Sequence, residues 1–204
     1  MKISRLTILC FLASVVMAVI CYPSMPDTMA VHWGINGEPD GFAPKLVGVA
    51  FVPIMMVVLF LASRYREQSY QKFASSKDAI MHTLMVALLV IHGLIIAYGY
   101  GYMVNMATAA TLILGVLFIT MGNFMPRFRH NYMIGIRTPW TLASEEVWKK
   151  THQLGSRAFF SGGLLIVLTT FLPAPIHFIV LLFLIVATIL VTMGSSYYYA
   201  KRRE

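Results

Sequence analysis

Six nearly unbroken apolar stretches partition this 204-residue chain, and they decide which solvent it can fold in. They run Leu6 to Tyr22, Leu46 to Ala62, Ala79 to Tyr98, Met106 to Phe124, Phe159 to Leu172 and Ile176 to Ser195. A helix crosses the hydrocarbon of a bilayer with about 20 apolar residues, and only the fifth stretch falls clearly short. Lipid offers the backbone no hydrogen bonds, so each stretch must close its own as a helix. Hydrophobic residues make up 58% of the chain and charged ones 12%, far more apolar surface than one soluble core of this size can hide. The expected fold is an all-α integral membrane protein with six transmembrane helices, forming a single transmembrane domain over residues 1–204. Paired prolines in "FLPAP", Phe171 to Pro175, separate the last two stretches.

The basic residues give these helices a direction. The net charge of +8 is concentrated between apolar runs, which points to a membrane surface rather than to nucleic acid. Lys2 and Arg5 precede the first stretch, and Arg64, Arg66, Lys72 and Lys77 follow the second. Arg127, Arg129, Arg137, Lys149, Lys150 and Arg157 follow the fourth, and Lys201, Arg202 and Arg203 end the chain. With six helices these 15 residues share one side, and Lys45 alone falls on the other. The positive-inside rule then places both termini in the cytoplasm. The basic, apolar N-terminus resembles a secretion signal, but no small-x-small cleavage site follows, so a retained first helix is expected. Cys10 and Cys21 are about 16 Å apart at helical rise, too far for a disulfide.

Two loops carry the polar content. The predicted external loop, 23–45, contains "PSMPDTMAVHWGINGEPDGFAPK". Asn36-Gly37 and Pro39-Asp40-Gly41 are turn signals, and Met29 to Trp33 suits an extended run. Asp27, His32, Glu38 and Asp40 are metal-ligand types, but no tight ligand spacing joins them. An ordered cap at the membrane surface, with Trp33 as an interfacial anchor and no metal, is expected. The predicted cytoplasmic loop and interfacial helix occupy 122–158. "GNFMPRFRHNYMIGIRTPWTL" holds three arginines and no acid. "SEEVWKKTHQLGSRA" follows it with Ser144 as N-cap and Glu145 and Glu146 in the first turn. Val147, Trp148, Thr151, Leu154 and Ala158 share one helical face, and Trp148 and His152 stack four apart. The expected element is a short amphipathic helix in the interface.

Chemistry within the bilayer usually needs ionisable groups there. No Asp or Glu lies in the middle of any apolar stretch. His82 and His92 are ten apart, which predicts different helix faces, and His92 reads as a hydrogen-bonded packing residue. There is no HExxH, phosphate-binding glycine loop or serine-nucleophile elbow, so no enzyme and no cofactor are expected. The polar segment has two readings. Its arginines anchor inner-leaflet phosphates, with Met125-Pro126 ending the fourth helix and Trp140 in the aromatic belt. Alternatively, Asn123, Asn131, Gly135, Arg137, Thr138 and Thr141 build a folded loop tucked against the helix ends, either for structure alone or also to bind an anionic group through Arg137 or contact a partner.

The two loop segments together resemble the SdpI-type immunity proteins, whose members carry an HW…G external loop and, later, a segment like "GNFMPRFRHNYMIGIRTPWTLASEEVWKKTH". His32, Trp33 and Gly37 match the first pattern. Asn123, Pro126, Asn131, Gly135, Arg137, Thr138, Pro139, Trp140, Thr141, Trp148 and His152 match the second. The resemblance implies a six-helix protein of the bacterial cell membrane. It implies protection of a toxin-producing cell from its own secreted peptide, and recruitment of a small transcriptional repressor to the membrane. The implied partners are the bilayer, a peptide toxin outside and a repressor inside, with no direct nucleic-acid binding. A transporter or lipid-handling protein is the alternative that the residues leave open.

Overall fold

The computed structural model describes residues 4–65, 74–132 and 134–202. Lys2, Arg66, Lys72 and Arg203, four of the residues used to orient the chain, lie outside the described residues. Helix α1 spans Arg5–Cys21 and runs into a 3-10 turn, Tyr22–Ser24. Strands β1, Thr28–Trp33, and β2, Pro39–Pro44, precede α2, Lys45–Tyr65, and α3, Ala74–Gly99. Helix α4, Met106–Phe124, leads through the short α5, Pro139–Ala143, to α6, Glu145–Thr169, and α7, Ala174–Lys201. Among the described residues, five helices are long and apolar enough to cross a membrane: α1, α2, α3, α4 and α7.

Helix α6 differs from expectation. The amphipathic segment and the fifth apolar stretch form one continuous helix of 25 residues. Ser144 caps its start by accepting from the Val147 amide, and no proline interrupts it before Pro173. Its charged first half and apolar second half share one hydrogen-bond ladder, so the polarity boundary near Arg157 does not break it.

The chain divides into two compact units, Met1–Ala110 and Thr111–Glu204. The first has a methionine-rich core in which Met25, Met29, Met56, Met85 and Met106 are buried with Val49, Val52, Ile95 and Ile96. Unbranched thioethers fill irregular gaps between helices. β1 and β2 pair antiparallel, with Ala30 opposite Phe42 and the register broken around His32. This hairpin is pinned at two glycine notches. A Cβ on Gly48 would lie 2.8 Å from the Met29 sulfur, and one on Gly99 would lie 2.7 Å from that of Met25.

Both histidines of α3 face α1, which corrects the prediction of different faces. His82 Nε2 pairs with Ser4 Oγ at 2.6 Å, and His92 Nδ1 with Ser14 Oγ at 2.7 Å. Ten residues on an ideal helix leave about 80° between side chains, which fits within one broad contact stripe. The Val49 carbonyl lies beside the His92 ring, whose Nε2 is buried and makes no hydrogen bond among the described residues. Pro53, inside α2, has no N–H to donate to that carbonyl four residues earlier.

In the second unit, α4 and α6 meet at glycines. A Cβ on Gly163 would sit 2.7 Å from both the Gly115 carbonyl oxygen and the Ile119 nitrogen, and one on Gly122 would sit 2.5 Å from the Phe160 nitrogen. Small residues let the backbones approach, the usual device where helices pack in lipid. Ser156 Oγ donates to the Gly122 carbonyl at 2.7 Å across the same contact. Thr111 and His177 add a buried pair at 2.6 Å.

Candidate functional site

The segment 122–158 is a folded loop organised around Trp148 and His152. Helix α4 ends at Phe124, and Pro126 enters a 3-10 turn, Met125–Arg127, where its missing N–H costs nothing. The next residue, Phe128, is extended, and its carbonyl accepts from Trp148 Nε1 at 2.7 Å. Asn131 then closes a turn with its side chain. Its Oδ1 accepts from the Ile134 amide at 2.8 Å, and its Nδ2 donates to the carbonyls of Arg129 and Ile134. A side-chain amide offers both an acceptor and two donors, so this geometry needs Asn rather than Asp. Met133, within the turn, is outside the described residues.

Gly135 follows with φ +121°, and a Cβ there would collide with Nε2 of His152. The close approach lets the Ile136 amide donate to His152 Nε2 at 3.0 Å. His152 Nδ1 faces the Trp148 carbonyl at 2.8 Å. A carbonyl only accepts and an amide N–H only donates, so the ring is neutral with its proton on Nδ1. Burial pushes the His152 pKa down to about 4, and the neighbouring His130 adds to the effect. The ring stacks on Trp148 with centroids 4.0 Å apart, and His130 meets the Trp148 ring edge-on. Nε2 of His130 donates in turn to the carbonyls of Thr141 and Leu142.

Thr138 opens α5 as a capping box. Its hydroxyl accepts from the Thr141 amide, while Thr141 Oγ1 accepts from the Thr138 amide at 2.8 Å. Pro139 takes the first helical position. Thr141 Oγ1 also donates to the Ile136 carbonyl, tying α5 to the turn before it. Thr138 Oγ1 donates to Ser196 Oγ on α7 at 3.0 Å, and nothing in the sequence pointed to that serine.

The residues singled out from the sequence thus separate into two groups. Asn131, Thr138, Thr141, Trp148 and His152 are buried and hold the loop. Asn123, Pro126, Arg137 and Trp140 are exposed on it. Arg137 donates from Nη1 to the Tyr132 carbonyl at 2.9 Å, and the Trp140 ring meets Tyr197 edge-on. Arg127 stacks over Phe124.

His32, Trp33 and Gly37 lie in the first unit, on the hairpin. His32 is paired with Asp40, and Lys45 with Asp27, so two of the carboxylates weighed as metal ligands have partners of their own. No group of three His, Cys, Asp or Glu residues is arranged to hold a metal among the described residues. Trp33 packs edge-on against Tyr98. Gly37, with φ +78°, lets the hairpin tip approach Asn105 and Ala107 at the start of α4.

Two family models match the chain. Residues 127–196, which include the Trp148–His152 framework and its tie to Ser196, match the SdpI/YfhL protein family. Residues 8–57, which include the hairpin, match a domain of unknown function, DUF1648. Immunity protein SdpI of Bacillus subtilis (strain 168) is 25% identical over 203 residues, covering 99% of this chain and 98% of that protein. The chain is similar to the SdpI-type family, through residues 127–196 and through this end-to-end relative. It is a multi-pass protein of the bacterial cell membrane. A second B. subtilis relative, the uncharacterized membrane protein YbgB, is 30% identical over 57 residues, 28% of this chain and 63% of YbgB. No solved structure matches it.

Proposed function

We propose that this chain is an immunity protein that protects its own cell from a membrane-active peptide toxin. The observation that carries this reading is the end-to-end similarity to immunity protein SdpI, which spans both polar loops and all the helices between them. The charge distribution supports an orientation with both termini and the 122–158 loop in the cytoplasm and the hairpin outside. The hairpin, with His32, Trp33 and Gly37, then meets the toxin. The exposed side chains of the framed loop, Asn123, Arg137 and Trp140 among them, meet a cytoplasmic partner. A transcriptional repressor is the partner that the family resemblance suggests, and holding it at the membrane would couple toxin arrival to expression.

A framed loop suits this role better than a loose basic tether. Its buried side chains hold the exposed ones in fixed positions, which specific recognition requires and charge attraction does not. The test is expression of the chain in a toxin-sensitive cell challenged with a panel of secreted peptide toxins from related bacteria. Survival should rise against at least one toxin. Unchanged survival across the panel, with the protein present in the membrane, counts against immunity.

A further inference from the structure

The hairpin has an inner and an outer face. Met29, Val31 and Trp33 on β1 turn towards the core, and Met29 is almost fully buried. On β2, Asp40, Phe42 and Pro44 are exposed, as is His32 on β1. Phe42 is 60% exposed although strand pairing places it across from Ala30. Ile35 is exposed in the tip, and Gly37 brings that tip against Asn105 and Ala107. Immediately before Asn105, the turn after α3 carries Tyr102 and Met103, both largely exposed. Exposed apolar side chains therefore occur on the outer hairpin face, in its tip and in the turn that precedes the tip's contact with α4.

Charge identifies the occupant. The chain as a whole is +8, yet the segment 23–45 has Asp27, Glu38 and Asp40 against the single lysine Lys45. A membrane surface is a poor match for this segment, because bacterial leaflets carry anionic lipid and would repel an acidic hairpin. A basic partner gains from it, in docking rate and in selectivity over acidic competitors. Apolar groups on the partner would cover Phe42, Ile35 and Met103, the kind of contact that contributes most to binding.

We propose that the outer hairpin face and the adjoining Tyr102–Met103 turn form a docking surface for a cationic peptide segment with apolar side chains. This names the chemical class of the toxin and so rests on the immunity reading. The experiment uses the full chain in phosphatidylcholine nanodiscs, which carry no net charge. The probes are a labelled synthetic peptide alternating lysine with leucine and its glutamate–leucine counterpart, with empty nanodiscs as the blank. The lysine peptide should bind the protein about tenfold tighter than the glutamate peptide. Asp27→Asn with Glu38→Gln should erase that preference. Phe42→Ser should weaken the lysine peptide at unchanged charge.

Equal affinity for the two peptides, binding no greater than to empty nanodiscs, or no binding by either overturns the proposal. If the lysine peptide binds but the chain protects no cell, docking stands and immunity falls. If a variant combining Asp27→Asn, Glu38→Gln and Phe42→Ser protects cells as well as the natural chain at matched abundance, immunity stands and docking falls.

Discussion

The Ile136 amide donates to Nε2 of His152, a bond that helps to join the motif loop to the buried face of α6. It exists only while Nε2 carries no proton. The His152 pKa is lowered to about 4 by burial, whereas an unfolded histidine titrates near about 6.5. The unfolded state therefore binds more protons between those values, and stability must fall as pH falls through that window. It is complete above about 6.5, and the loss levels off below about 4, at about 3 kcal/mol. Thermal unfolding of the detergent-solubilised protein between neutral and acid pH should show this slope. His152→Phe keeps a ring against Trp148 and should flatten it, at the cost of a lower melting temperature at neutral pH. A slope unchanged by that substitution would assign the acid sensitivity to another group.

Gly135→Ala should be among the most damaging small substitutions in the loop. The residue combines a positive φ with a Cβ position already occupied by the His152 ring. Gly101 provides the comparison, because its φ is also positive, at +86°, but a Cβ there meets nothing within 4 Å. Gly101→Ala should cost about 1 kcal/mol from backbone strain alone. Gly135→Ala should cost clearly more, read as the difference between the two melting temperatures.

At the α4–α6 crossing, Gly163→Ala places its methyl group against the Gly115 carbonyl and the Ile119 nitrogen. Backbone atoms cannot rotate away as side chains do, so the helices must separate. Overpacking of this kind costs about 1–3 kcal/mol. Gly93 and Gly194 have open space at the same test, and alanine there should leave stability unchanged or raise it. Similar stability for all three alanine variants would mean that the crossing is looser than described.

Arg137→Lys separates recognition from architecture. The side chain is exposed and makes one described hydrogen bond, to the Tyr132 carbonyl, which an ammonium can also make. Stability should change by less than about 1 kcal/mol. Protection in cells should nonetheless fall, because a planar guanidinium offers paired donors that lysine lacks. Arg129→Lys should be mild in both assays. Equal protection by the two variants would show that charge alone suffices at this surface.

Topology has its own test. Reporter fusions after Lys45 and after Lys77 should report opposite sides of the membrane, with the fusion after Lys77 cytoplasmic. The same side for both would remove α2 as a span and with it the proposed orientation.

The membrane class, most helix positions, the capping role of Ser144 and the end of the fourth helix at Met125-Pro126 were legible from residue order alone. Each depends on neighbours within a turn or two, and an apolar run in lipid has one way to satisfy its backbone. The hallmark residues of the loop were legible as types, since Asn131, Gly135 and Thr138 announce turns and caps locally. Their partners were not. That Gly135 yields its space to His152, that Thr138 reaches Ser196, and that Met25 and Met29 seat against Gly99 and Gly48 depend on segments far apart in the chain. The fate of α6 shows the same limit. Its polarity changes near Arg157, but only a ladder formed without a break shows that the two halves are one helix. Local order determines which backbone bonds a segment can make. Only packing in three dimensions decides which side chains must be small, which must donate, and which remain at the surface to recognise something else.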